Sequence, residues 1–176
     1  MANGRELKGI SRLRILVWAV PLVMLVSWFL WTLFHEASHV GVACLLAPVR
    51  GTRWVLYPHR DESGNFYFAR VEWTWSARPE VAGWEWACLY CAPRFMNLVA
   101  AAMFPFSSFF PGQWSMVWLV FWGCGLVDLF VGSLGISPVS DLRRASESLG
   151  TSPWALRIVG MTILLTSLCA FLCLKV

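Results

Sequence analysis

Long apolar stretches separated by shorter polar segments dominate the hydrophobic pattern of this chain. A helix needs about 20 mostly apolar residues to cross the roughly 30 Å hydrocarbon core of a bilayer. Four stretches reach that length: residues 15–47, 84–110, 114–136 and 154–174. Soluble domains seldom carry several such runs, so the pattern predicts an α-helical integral membrane protein with about four transmembrane helices.

The segments that flank these runs differ in character. Residues 1–14 form a basic tail, and the run after it is expected to be a retained membrane anchor because it is too long for a signal peptide. Residues 137–153 form a loop in which Ser140 is expected to cap a short helix that starts at Asp141 and stops near Gly150. The whole chain is expected to form a single membrane-embedded domain.

The largest polar segment, residues 49–83, has the pattern of a β-hairpin. Residues 54–57 and 66–75 are rich in β-forming side chains, and the second run alternates apolar and polar positions. Residues 58–65 between them carry turn chemistry. Because tryptophans are frequent here and favour the membrane–water interface, we expect a hairpin at the membrane surface between the first and second spans.

Composition and charge agree with a multi-pass membrane protein. The chain of 176 residues is 58% hydrophobic with a mean hydropathy of +0.61, whereas soluble domains are about 45–50% apolar. The net charge of +4 comes from basic residues in the N-terminal segment and the loops, as is usual beside transmembrane helices. No patch of interleaved basic and aromatic residues indicates a nucleic-acid partner. We therefore expect the chain to be embedded in a lipid bilayer.

The chemistry is concentrated in the stretch from His35 to His39, which reads HEASH. On a helix, positions i and i+4 lie on one face, so the two imidazoles can reach the same metal ion. Glu36 is well placed to take a proton from a metal-bound water. Ionisable residues at membrane depth cost about 2.5–3.5 kcal/mol each on insertion scales, which makes these three residues functional candidates.

A catalytic zinc site needs a third protein ligand and an open position. The remaining histidine, His59, lies in the hairpin turn, where a solvated side chain is the usual situation. Two aspartates are the other candidates. Asp128 lies within the third span, and Asp141 follows that span at a helix start, where a negative charge also stabilises the helix. From the residue types alone, either aspartate can complete the site.

The order of these elements resembles that of the site-2 protease family of intramembrane zinc metalloproteases, especially its small, minimal members. That family carries H-E-x-x-H on the first core helix, a segment with proline and asparagine on the second, and an N-x-x-P-x-x-x-L-D-G-like motif at the third. The matching stretches here are HEASH, residues 92–97 (APRFMN) and residues 135–144 (GISPVSDLRR). The family's asparagine before the proline and glycine after the aspartate are absent.

The resemblance implies an intramembrane zinc metalloprotease that hydrolyses peptide bonds of transmembrane protein or peptide substrates through a zinc-activated water. By motif order it implies that His35, His39 and Asp141 bind Zn²⁺. It further implies Glu36 as the general base and Asn97 as a substrate-binding residue. The hairpin would hold an unwound substrate segment as an added strand.

The alternative is a non-catalytic, protease-like membrane protein that binds or regulates partner helices. The missing asparagine and glycine around Asp141 favour it, whereas the presence of Glu36 favours an enzyme. The substrate, the orientation in the membrane and the oligomeric state stay open at this point.

Overall fold

A computed structural model shows a mostly helical chain and describes residues 3–77, 80–135 and 140–174, with side chains from residue 19 onward. The helices are α1 (Asn3–Leu46), α2 (Gly83–Met103), α3 (Gln113–Leu134), α4 (Asp141–Leu149) and α5 (Pro153–Cys173). A 3₁₀ helix, Phe104–Phe109, continues directly from α2. The strands are β1 (Val49–Val55), β2 (His59–Arg60), β3 (Phe66–Tyr67) and β4 (Arg70–Trp75).

Four helical segments are long and apolar enough to cross a membrane, as the hydropathy pattern predicts. They are Ala19–Leu46, Gly83–Phe109, Gln113–Leu134 and Pro153–Cys173. The third segment is shorter than predicted because Gly135 adopts a positive φ of 61°, a conformation that ends helices. The next four residues, 136–139, lie outside the described residues, and they include the proline of the predicted third motif.

Helix α1 is continuous over 44 residues. It does not break near HEASH, although it is long enough to do so and Pro21 lies inside it. Residues 3–14 of the predicted basic tail are also helical and belong to α1. HEASH therefore sits on a long, regular helix, and its three functional candidates keep helical spacing.

Small residues allow the helices to approach closely. At Gly125 of α3, an added Cβ would lie 2.5 Å from the Cβ of Ala100 on α2 and 2.6 Å from the ring of Trp31 on α1. At Gly160 of α5, an added Cβ would overlap the hydroxyl of Ser133 on α3. Contacts of this kind are typical of helices that pack in membranes. They hold α1, α2 and α3 together beside the residues of the candidate site.

The polar segment after α1 forms a hairpin built from two short antiparallel pairings. β1 pairs with β4, and β2 pairs with β3 nearer the turn. The first strand begins at Val49, earlier than predicted, and the predicted strand over residues 66–75 is interrupted at residues 68 and 69. The hairpin itself was correctly predicted, but its strand bounds were not.

The hairpin lies along α1. The indole Nε1 of Trp75 donates a hydrogen bond to the carbonyl of Ala43 (3.1 Å), and Phe68 packs edge-on against Trp28 with 6.2 Å between ring centroids. Both α1 residues fall inside the candidate span Ala19–Leu46. The hairpin therefore lies beside this span and not beyond its end, which the pattern of tryptophans alone did not reveal.

Helix α4 packs against α2. As predicted, it starts at Asp141 and is followed by Gly150, which has a positive φ of 63°. Ser140 occupies the predicted capping position, and its carbonyl accepts the amides of Arg143 and Arg144 (both 3.1 Å). Its side chain makes no capping hydrogen bond, so that part of the prediction was wrong. The result is a short helix whose first residue faces α1.

Candidate metal centre

Three predicted ligands meet where α1 faces the start of α4. The rings of His35 and His39 lie one turn apart on α1, with 5.4 Å between their centroids. The Nε2 atom of His35 lies 3.3 Å from Oδ2 of Asp141, and Nε2 of His39 lies 3.6 Å from Oδ1 of the same carboxylate. One ligand atom from each residue lies within 4.8 Å of the others. This group could hold a metal ion.

Both imidazoles are held through their other ring nitrogen. Nδ1 of His35 lies 2.9 Å from Oδ2 of Asp128, and Nδ1 of His39 lies 2.8 Å from the carbonyl oxygen of Leu89. Because carboxylates and carbonyls only accept hydrogen bonds, each neutral ring carries its proton on Nδ1 and leaves Nε2 as a lone pair. Two lone pairs and a carboxylate then face one another, and a cation satisfies all three. The donor set therefore fits a metal site.

Pro93 explains why the Leu89 carbonyl is available to His39. In a regular helix this carbonyl would accept the amide four residues further on, but Pro93 has no N–H and lies inside α2. The ring of His39 supplies the missing donor from the neighbouring helix. The proline, which marks the second motif of the resemblance, thus orients a candidate metal ligand.

Asp128 occupies a different position from Asp141. Its carboxylate contacts the Nδ1 side of His35 (2.9 Å), on the far side of the ring from the nitrogen that faces Asp141. Trp31 Nε1 also donates to it at 3.4 Å. An aspartate on the second ring nitrogen of a ligating histidine orients that ring and raises its basicity. The geometry therefore favours Asp141 as the third ligand and Asp128 as the residue that orients the His35 ring.

Arg94 is the site residue that the sequence interpretation did not single out. Its Nη2 lies 3.3 Å from Oδ2 of Asp141, and its Nη1 lies 3.5 Å from Oδ2 of Asp128. The side chain is only 13% exposed. A buried arginine is costly unless it is paired, and here it is paired twice. A lone arginine in one apolar span and a lone aspartate in the next are the signal that could have identified this contact.

With neutral histidines the residues of the centre carry a net negative charge. The carboxylates of Glu36, Asp128 and Asp141 and the guanidinium of Arg94 leave two negative charges, which a divalent cation would neutralise. Burial raises the pKa of the Asp141 carboxyl, but in the absence of a metal ion the two histidines, when protonated on Nε2, donate hydrogen bonds to it and hold this pKa well below its usual range. Asp141 is therefore ionised, as a metal ligand must be.

Glu36 lies between the metal group and the hairpin. Its side chain is buried, and its Oε2 accepts a hydrogen bond from the backbone N–H of Val71 in β4 (3.0 Å). The partner of the candidate base is thus a main-chain amide. Every residue except proline has a backbone N–H, so the sequence could not indicate this contact.

Asn97, the predicted substrate-binding residue, is completely buried on α2. Its amide lies within range of the Asp128 carboxylate, but neither its nitrogen nor its oxygen forms a hydrogen bond of standard geometry with the residues described. A role in substrate binding stays a prediction. His59 lies in the hairpin, where it stacks on Tyr67 with 5.6 Å between ring centroids.

Comparisons of this chain with protein-family models, with curated proteins and with solved structures found no match. The resemblance to the site-2 protease family therefore stays a prediction from motif order. The functional argument depends on the geometry of the centre itself.

Proposed function

We propose that this protein is an intramembrane zinc metalloprotease, similar to the site-2 proteases, that cleaves transmembrane substrates. One observation supports this most strongly. Two histidines whose Nε2 atoms face Asp141 lie next to a buried glutamate, which combines a metal-binding group with a base. A purely structural metal site has no use for the base.

In this proposal His35, His39 and Asp141 hold the ion. Zinc, when bound, polarises a peptide carbonyl and lowers the pKa of a water ligand. Glu36 accepts a proton as the water oxygen bonds to the carbonyl carbon. It then delivers that proton to the amine as the C–N bond breaks. Asp128 and the Leu89 carbonyl keep the two imidazoles in the tautomer that binds metal.

The edge of β4 is well placed to position the substrate. A transmembrane helix buries its peptide bonds in its own hydrogen bonds, so it must unwind before hydrolysis. The N–H of Val71 points away from β1, because it donates to Glu36 on α1. An extended segment that pairs with this edge would take over the Val71 N–H and release the Glu36 carboxylate. Substrate binding and the freeing of the base would then be one event.

The second candidate is a metal-binding membrane protein without catalytic activity. The hydrogen bond between Val71 and Glu36 favours it, because this bond engages the base. Such a protein would bind partner helices along the same strand edge. It differs from the protease in that its partners would remain uncleaved.

Cleavage assays with the purified full chain in liposomes separate the two candidates. A panel of single-span transmembrane peptides serves as substrate, with wild type, Glu36→Gln and Glu72→Gln compared at equal zinc content. Glu72 is a matched control because it lies on β4 and pairs with Arg70, with 42% of its side chain exposed.

Because general acid–base catalysis contributes about 10²- to 10⁴-fold, we expect Glu36→Gln to lower the cleavage rate by that factor and to retain zinc. The Glu72→Gln control should cleave at the wild-type rate. Zinc binding without cleavage of any peptide would favour the non-catalytic candidate.

A further inference from the structure

The two oxygens of the Asp141 carboxylate have different surroundings. Oδ1 faces Nε2 of His39 at 3.6 Å. Oδ2 lies 3.3 Å from Nη2 of Arg94 and 3.3 Å from Nε2 of His35. Arg94 therefore donates to one oxygen of the candidate ligand and leaves the other one free.

This difference matters because a carboxylate can bind a metal ion through one oxygen or through both. A catalytic zinc site keeps a coordination position open, whereas a structural site fills every position with protein ligands. If both Asp141 oxygens bound the ion, the second oxygen would occupy the position that the reaction needs.

We propose that Arg94 is a positioning residue that keeps Asp141 a single-oxygen ligand and thereby keeps one coordination position open. This inference rests on the proposed metal site. It goes further because a residue that does not itself bind the ion is made responsible for keeping one coordination position open. It also gives a reason for a charged side chain within a candidate membrane span, where an arginine is costly.

Helix α3 fixes the guanidinium in this place. Nη1 of Arg94 donates to the backbone carbonyl of Asp128 at 3.3 Å and lies 3.5 Å from its carboxylate. One turn further along α3, a Cβ at Gly132 would lie 2.9 Å from Cζ and both terminal nitrogens of Arg94. The glycine leaves the space that the planar group occupies. The planar, forked guanidinium can serve both aspartates at once, which a lysine ammonium does less well.

Cobalt(II) replaces zinc in the test because Zn²⁺ is d¹⁰ and gives no visible spectrum, whereas the visible absorption of Co²⁺ shifts when a new ligand enters its coordination sphere. The full-length protein in detergent is loaded with Co²⁺ and then titrated with thiocyanate, a small anion that enters an open position and shifts the spectrum. The variants are Arg94→Gln, Arg94→Lys and Gly132→Ala. Gly123→Ala, on the same helix, is the matched control because its Cβ would meet only the Phe104 ring, at 3.8 Å.

We expect wild type and Gly123→Ala to bind cobalt and show a thiocyanate shift. Arg94→Gln should bind cobalt but lose the thiocyanate shift, because both Asp141 oxygens and the two histidines then fill all four positions. Arg94→Lys should retain part of the shift. Gly132→Ala should reduce the thiocyanate shift by a smaller amount, because its Cβ displaces the guanidinium without removing it.

The outcomes separate this inference from the proposed function. Wild-type spectra in both Arg94→Lys and Gly132→Ala would overturn the role of Arg94 and leave the metal site intact, even if Arg94→Gln fails to fold. Failure of the folded wild type to bind cobalt would overturn the proposed function and this inference together.

Discussion

Two faces of helix α3 serve different purposes. One face carries Asp128 and Gly132, which contact His35 and the guanidinium of Arg94. The other face packs its leucines in an apolar cluster with α2 and α5. The cluster consists of Ala101, Leu126, Leu129 and Leu164, with Phe104, Met161 and Ile163 packed against it. The same helix thus sets the position of α5 through apolar contacts and supports the candidate metal centre through polar ones.

The two faces differ in how specific their buried contacts are. In the apolar cluster the contacts are non-directional, so many residues of similar size would serve. In the polar centre each contact joins particular atoms, because a buried charge or imidazole must have a partner. Substitutions on the two faces should therefore separate stability from metal binding.

The largest effect on stability is expected from Leu129→Ala. Leu129 is 3% exposed in the apolar cluster, and removal of a buried leucine side chain costs about 2–5 kcal/mol. Unfolding in mixed detergent micelles would measure this loss, and the zinc content of the folded variant should be unchanged. Val131→Ala is the control, because Val131 is 39% exposed and its truncation should cost far less. Loss of zinc from folded Leu129→Ala protein would contradict the claim that the apolar face of α3 affects stability but not metal binding.

Asp128→Asn addresses the other face of α3. The variant can still accept the Nδ1 hydrogen bond of His35 but loses the charge that polarises the ring. We expect zinc binding to weaken by about 10- to 100-fold, the usual effect of removing a partner behind a metal ligand. Competition with a chelator of known affinity measures the change. Complete loss of zinc at saturating concentration would instead identify Asp128 as a ligand.

The smallest effect is expected from Pro93→Ala. The new backbone amide can donate to the Leu89 carbonyl and compete with His39 for it. One neutral hydrogen bond contributes about 0.5–1.5 kcal/mol, so zinc affinity should fall by roughly 2- to 12-fold on the same assay. Pro153→Ala is the control, since Pro153 starts α5, where no amide donor is required. Equal zinc affinities for the two variants would show that Pro93 does not orient His39.

The parts of the fold that depend on local pattern were predictable from the sequence. Apolar runs indicated the four candidate spans, and β-forming residues around a turn indicated the hairpin. HEASH was recognisable because its spacing matches a single helical turn. The order of motifs selected Asp141, and the structure brings it to both histidines.

What the sequence could not indicate depends on contacts between distant segments. Arg94 meets Asp128 and Asp141 only after three helices pack together. The partners of His39 and Glu36 are main-chain groups of Leu89 and Val71, which any residue type could supply. By residue type Asp128 could complete the site as well as Asp141, and only the packed helices show that it faces the Nδ1 side of the His35 ring.

The central claim is that α1 and α4 together form a metal site. It is tested most directly by the zinc content of the purified full chain, compared with His39→Ala and Asp141→Asn. We expect about one zinc per chain in the wild type, as for a site with three protein ligands, and none in either variant, with all three proteins folded. A wild type without zinc, or an Asp141→Asn variant that retains it fully, would contradict the claim.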